Sequence, residues 1–186
     1  YIGKHESIAQ FEGMKERSII VNGVSKAYAM TGWRIGFIAA PQWIVKGCNK
    51  LQGQYTSGPC SVSQKAAEAA YTLPQDCVET MRQAFERRRD LIVSLAKEIP
   101  GLEVNKPEGA FYLFPKCSSF FGKTDGQRTI NNSTDFAMYL LEVGHVATVG
   151  GDAFGDPDCF RMSYATSDDN IKEAMSRIKN ALSLLK

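Results

Sequence analysis

The stretch Asn22-Gly23-Val24-Ser25-Lys26-Ala27-Tyr28-Ala29-Met30-Thr31-Gly32-Trp33-Arg34-Ile35-Gly36 places one lysine and one arginine in a small-residue loop between two apolar runs. An uncharged lysine amine can form an imine with a cofactor aldehyde. An arginine fork can hold a phosphate dianion through paired, charge-assisted hydrogen bonds. Lys26 and Arg34 suit those two jobs, so the loop reads as an anchor for an aldehyde cofactor bearing a phosphate. Taken alone, a loop lysine would more simply be a solvated surface charge.

The surrounding string reverses that simpler reading. It resembles the pyridoxal-phosphate lysine motif of the class I, fold type I aminotransferases, in which Ser-Lys is followed by small residues, then Gly-Trp-Arg and Gly. The resemblance implies that Lys26 carries pyridoxal 5'-phosphate as a Schiff base and, once displaced by an amino acid, moves a proton as general acid and base. Arg34 follows Lys26 by eight residues, the spacing of the family's phosphate-binding arginine. Where the family often has a serine three residues before the lysine, this chain has Gly23. Asn22 or Ser25 is expected to take over that phosphate contact. Gly32 and Gly36 are expected where backbones approach closely, with no catalytic role.

A second match is Phe160-Arg161-Met162-Ser163-Tyr164-Ala165, which is similar to the family's C-terminal motif. It implies that Arg161 grips the substrate α-carboxylate bidentately and orients the amino acid. A strand arginine could instead serve a structural ion pair, because a charge in apolar surroundings needs a carboxylate from somewhere. Gly109-Ala110-Phe111-Tyr112, after Pro107, is similar to a family segment at the active-site edge, where the aromatic helps exclude water. The alternative there is an ordinary core strand.

The 186 residues are 44% hydrophobic and 23% charged, enough apolar content for a packed core and a domain or a domain and a half. A net charge of +2, from 22 basic and 20 acidic residues, offers no argument for nucleic acid or an anionic membrane as partner. The one basic run, Arg87-Arg88-Arg89, is flanked by Glu86 and Asp90 and reads as a solvated helix face. Five widely spaced cysteines without a Cys-x-x-Cys pair, and only two histidines, point to free thiols and to no metal site. No apolar run approaches the roughly twenty residues of a bilayer span, and the N-terminus carries no signal-like segment, so a cytoplasmic location is expected.

Along the chain, Ser18 to Asn22 and Arg34 to Ala40 read as short strands buried on both faces of a mainly parallel sheet, joined by the lysine loop. The spacing predicts a helix from Pro41 to about Tyr55 and a second over Val62 to Leu73. A long one follows Pro74, with Val78, Met81, Phe85, Ile92, Leu95 and Ile99 on its stripe until Pro100-Gly101. Arg88 interrupts that stripe, which suggests a bend or a change of packing partner. Strand-like runs follow at 101–104, 110–114, 146–149 and 160–165, with helices at about 133–143 and from a Ser167 cap onward. The stretch from Phe120 to Asn132 reads as an exposed loop.

The resemblance implies an α/β chain: the C-terminal portion of a fold type I large domain, residues 1–87, followed by a small α+β domain, residues 88–186. It implies a transaminase that uses an L-amino acid and a 2-oxo acid, with aspartate and 2-oxoglutarate as the pair, since the wording is most like that of the bacterial aspartate aminotransferase group. The same fold serves β-lyases, aromatic, alanine and kynurenine-type aminotransferases, and pyridoxal-phosphate-sensing regulators. In the family, the remaining cofactor contacts precede the lysine motif by more than this chain contains. The isolated chain is therefore expected to bind cofactor weakly and to be inactive, and the full-length enzyme to be a homodimer.

Overall fold

A computed structural model describes residues 1–186, which divide into two compact units: Gly3–Met81, and Arg82–Lys186 together with Tyr1–Ile2. In the first unit, β1 (Ile20–Gly23) and β2 (Gly36–Ala39) pair antiparallel in the register Ile20↔Ala39 to Gly23↔Gly36. Helices α1 (Gln42–Tyr55) and α2 (Ser61–Thr72) follow, as the periodicity predicts. The strands differ from their sequence reading. Each has only the other as neighbour, and Val21 and Phe37 are 77% and 47% exposed. A continuous apolar run signals the capacity for burial on two faces, but within these residues no layer covers the outer one.

Helix α3 (Asp76–Lys97) runs without interruption past Arg88. The arginine run is only in part a solvated face: Arg87 is exposed, but Arg89 is only 2% exposed, its Nε donating to Asp90 at 2.9 Å and its Nη2 to Glu86 at 3.3 Å, with the Tyr1 ring 4.5 Å from the guanidinium carbon. Arg87 and Arg88 both donate to Asp168, at 3.1 and 3.3 Å. Buried charges survive only when paired in this way.

The second unit holds a three-stranded antiparallel sheet, β3 (Tyr112–Leu113), β4 (Val149–Gly150) and β5 (Phe160–Ser163), in the order β3-β5-β4. The run at 101–104 contributes only a bridge between Glu103 and Lys116. Helix α4 (Ser133–Glu142) starts at Asn132, whose Oδ1 accepts from the Asp135 amide at 2.8 Å. Helix α5 (Asp168–Ser183) starts at Ser167, whose Oγ accepts from the Asn170 amide at 3.2 Å. Ile171, Met175, Ile178, Ala181 and Leu182 on α5 pack into one apolar cluster with Ile92, Phe136, Leu140 and Phe160. Each large side chain so buried contributes roughly 1.5–3 kcal/mol.

The stretch from Phe120 to Asn132 is only partly a surface loop. Phe120 and Ile130 are core residues, and across the stretch the Gly122 amide donates to Ile130 O at 2.7 Å and the Ile130 amide to Lys123 O at 2.9 Å. All five cysteines are free thiols. No helix is long and apolar enough to cross a membrane.

Asp168 sits in the first turn of α5, and its hydrogen bonds from Arg87 and then Arg88 hold its carboxyl below the ordinary 3.8. A carboxylate whose pKa is lowered on folding stabilises the fold above its unfolded value and loses that contribution as pH falls through the folded one. Urea unfolding followed from pH 7 down to pH 3 should therefore steepen its decline below about pH 4. Asp168→Asn should be less stable than wild type at pH 7 and converge with it at the acid end.

Candidate functional site

The lysine loop is closed where Gly23 and Gly36 face each other across the β1–β2 ladder. A Cβ on Gly23 would meet the Ile35 carbonyl oxygen at 3.1 Å, and one on Gly36 the Asn22 oxygen at 3.1 Å. At both strand ends a Cβ would be crowded, and glycine lets the backbones approach without a shift. Gly32 differs from the expectation, because a Cβ there would meet nothing within 4 Å.

Inside the closure the chain makes two tight turns. In the first, Tyr28 N donates to Val24 O at 3.2 Å and Ala29 N to Lys26 O at 3.3 Å. In the second, Trp33 N donates to Met30 O at 3.3 Å. Val24 is the loop's buried anchor, while Lys26 and Arg34 are exposed and Ser25 is half-buried. Asn22 is exposed, and its Oδ1 accepts from the Gly23 amide at 2.7 Å. Arg34 adopts a left-handed backbone (φ 51, ψ 49) as its Nη1 donates to Thr31 O at 2.9 Å.

The loop rests on Tyr28, whose hydroxyl donates to Gln75 Oε1 at 2.8 Å and whose ring meets Tyr71 edge-on at 5.2 Å. Burial raises the Tyr28 phenol's pKa, with Tyr71 adding to it, so the contact is that of a neutral hydroxyl. An amine, a guanidinium, a hydroxyl and a carboxamide on one loop form a donor set that fits a small molecule bearing an aldehyde and a phosphate.

Arg161 belongs to the other unit, at the centre of β5. Its guanidinium carbon lies 4.4 Å from the Tyr112 ring centroid and 4.2 Å from that of Phe154. Tyr112 comes from β3 and Phe154 from the 3-10 turn Gly151–Phe154 that continues β4, so each neighbour of the central strand supplies one ring. Such contacts are worth about 0.5–2 kcal/mol each, more where water is excluded. No carboxylate of the chain pairs with Arg161, so the structural ion pair that sequence allowed is not formed.

The Gly-Ala-Phe-Tyr segment is more than a core strand. Ala110 is left-handed (φ 61), and its carbonyl accepts from the Tyr1 hydroxyl and from the Tyr164 hydroxyl at 3.1 Å. The Phe111 and Tyr112 rings lie tilted against each other with centroids 4.6 Å apart, and Phe111 meets Phe85 at 5.9 Å. A row of rings thereby reaches from α3 to the arginine. Asn22, Ser25, Lys26 and Arg34 therefore share one loop, and Arg161 stands in a separate aromatic setting. Sequence reasoning missed Phe154 and the Tyr164 hydroxyl; the glycines at 151 and 155 that bracket Phe154 were the available signal of a tight turn.

Residues 2–178 match the family model of aminotransferase class I and II, and the chain belongs to that family. It is 49% identical over 186 residues to a bifunctional aspartate aminotransferase and glutamate/aspartate-prephenate aminotransferase of Petunia hybrida, covering 98% of this chain and 39% of that protein. It is 50% identical over 175 residues to an aspartate aminotransferase of Rhizobium meliloti strain 1021, covering 93% and 43%. Among solved structures, an aspartate aminotransferase from Rhizobium meliloti superposes with a TM-score of 0.95 at 47% identity, over 100% of this chain and 47% of that one. An aromatic aminotransferase from Pyrococcus horikoshii gives 0.85 at 40% identity, over 97% and 47%. The fold is thus that of the fold type I aminotransferases, and the chain spans less than half the length of these relatives.

Ala29, at φ 53, is a second left-handed non-glycine residue in the lysine loop, and it is exposed. A Cβ in that region costs about 1 kcal/mol or more. Ala29→Gly should therefore raise stability by about 1 kcal/mol in thermal or urea unfolding, against the usual direction for a glycine substitution.

Proposed function

We propose that this chain serves a pyridoxal-phosphate-dependent aminotransferase that moves an amino group between an L-amino acid and a 2-oxo acid, with aspartate and 2-oxoglutarate as the pair. One observation carries the reading: a guanidinium set between two aromatic rings on a central strand, with no carboxylate of its own chain paired to it. A cation in such a setting calls for an anion, and an amino acid brings a carboxylate whose planar geometry matches the guanidinium fork. The names of the relatives from Petunia hybrida and Rhizobium meliloti support aspartate as the amino donor.

Pyridoxal phosphate, when bound, supplies an aldehyde and a ring that withdraws the electron pair of the substrate Cα–H bond. On this reading Lys26 is the covalent anchor through its Nζ, and the same amine, once released, holds and moves the proton at the substrate α-carbon. Arg34 takes the phosphate through guanidinium N–H groups, with Ser25 and Asn22 as neighbouring contacts. Arg161 takes the substrate α-carboxylate and fixes which way the Cα–H bond faces. Tyr112 and Phe111 shield that arginine from water. Residues 1–87 would belong to the cofactor-binding domain and 88–186 to the small domain.

The exposed apolar side chains of α1, with Trp43 75% and Tyr55 86% accessible, support burial against further protein in the intact enzyme. A homodimer is the assembly proposed.

Borohydride reduction of the intact enzyme with pyridoxal phosphate, followed by peptide mapping, should place the adduct on Lys26. Lys26→Ala should lose the adduct and lower kcat at least about a hundredfold. An adduct on another lysine would overturn the assignment.

A further inference from the structure

We propose that Phe154 is a positioning residue for Arg161: its ring, held by the Gly151–Gly155 turn, fixes the guanidinium so that only its N–H edge is presented to a carboxylate. The proposal rests on the carboxylate-binding reading of Arg161 and adds to it a residue outside both sequence motifs.

The turn that carries Phe154 has little freedom. Val149 lies directly opposite Arg161 in the β4–β5 ladder, and the chain leaves that ladder at Gly150 straight into the 3-10 turn. The Gly151 amide donates to Cys159 O at 2.8 Å and to Ser133 Oγ at 3.1 Å, and the Asp156 amide returns to Gly151 O at 3.2 Å. A Cβ on Gly151 would collide with the carbonyl oxygens of Asp156 and Cys159, so the crossing admits only glycine. Gly155, left-handed at φ 82, ends the turn, its amide donating to Asp152 O at 3.2 Å. Asp152 in turn accepts from Ser133 Oγ at 3.1 Å, which ties the turn to the start of α4.

Phe154 is thereby delivered 4.2 Å from the guanidinium carbon, and Phe114 braces it edge-on at 6.0 Å. Nothing in the turn needs an aromatic there. Phe154 is 45% exposed, so core packing does not explain the ring, whereas contact with a cation does. Guanidinium groups stack on aromatic faces and keep their in-plane donors available. With Tyr112 on the other side, swings of the side chain out of that plane are blocked, and the freedom lost on carboxylate binding has already been removed.

The test uses the full-length enzyme and two readouts: steady-state kinetics with the amino donor, and the dissociation constant of succinate, an unreactive dicarboxylate, by calorimetry. Phe154→Leu retains apolar bulk without a π-face; it should raise KM and the succinate constant about five- to tenfold, with kcat changed much less. Phe154→Tyr should restore both. A Phe154→Leu enzyme that binds succinate like wild type would overturn the proposal, as would a Phe154→Tyr enzyme as weak as the leucine variant. So would equal losses in kcat and kcat/KM accompanied by a lowered Tm, since these mark a merely structural role. Arg161→Lys separates the two levels. If it leaves succinate affinity intact, the carboxylate reading itself fails; if it abolishes affinity while Phe154→Leu does nothing, only the positioning role fails.

Discussion

Strand β5 crosses the core with a cation at its centre, and it can do so only because side chains alternate along a β-strand. Phe160 and Met162 enter the apolar cluster, while Arg161 and Ser163 leave it on the other face. A slip of one residue would drive the guanidinium into the cluster and push Phe160 into water. Two ladders forbid the slip: Tyr112 is held opposite Ser163 on one side, and Val149 opposite Arg161 on the other. The register that secures the core therefore also aims the arginine, and the two flanking strands bring the rings that receive it. Core and candidate site are set by the same few hydrogen bonds.

Charge is handled differently on α3. Three consecutive arginines point in three directions around a helix, and each has its own solution: Arg89 is buried and closed in by Glu86 and Asp90, while Arg87 and Arg88 reach the first turn of α5 at Asp168. Asp168 also lies where a helix N-terminus favours a negative charge. One carboxylate thus meets two guanidinium groups and the helix end, and the docking of α5 against α3 depends on it. Arg161 has no such closure, which is why it differs in kind from the other arginines of its unit.

How legible these features were in the sequence follows the range of the interactions behind them. Helices α1 to α5 and the cap at Ser167 depend on spacing of three or four residues, so the periodic stripes place them to within a residue or two, whereas the cap at Asn132 was read as the end of a loop. Strands were found but overextended, because a run of apolar residues shows what can pair and not how far the partner reaches. The burial of Arg89 was invisible, since its surroundings include Tyr1 and Pro107. A run of basic residues looks the same whether or not such partners exist. Ile130 pins its loop to the core, a contact that polar, glycine-rich flanks disguised. At the candidate site, motif wording identified Lys26, Arg34 and Arg161 by residue type. It did not reveal Phe154, whose relevance comes from a turn bringing it to a strand it does not adjoin in sequence.

The left-handed non-glycine residues connect these observations. Of the five such residues, Ala29 and Arg34 lie in the lysine loop and Ala110 in the Gly-Ala-Phe-Tyr segment, and each conformation costs about 1–2 kcal/mol. Two phenol hydroxyls on the Ala110 carbonyl and the Tyr164 amide on Phe111 O hold the second segment. At roughly 1 kcal/mol apiece, these bonds outweigh the strain and hold the segment that carries Tyr112 beside Arg161. The lysine loop is tied differently, by the Tyr28 hydroxyl on Gln75 and by its own backbone turns. Arg34 is held by its own turn, its Nη1 and its backbone amide both donating to Thr31 O, bonds of the same order as the strain at that residue. A phosphate dianion is a stronger acceptor than a peptide carbonyl, so on the proposed reading it would draw that guanidinium away from Thr31 O.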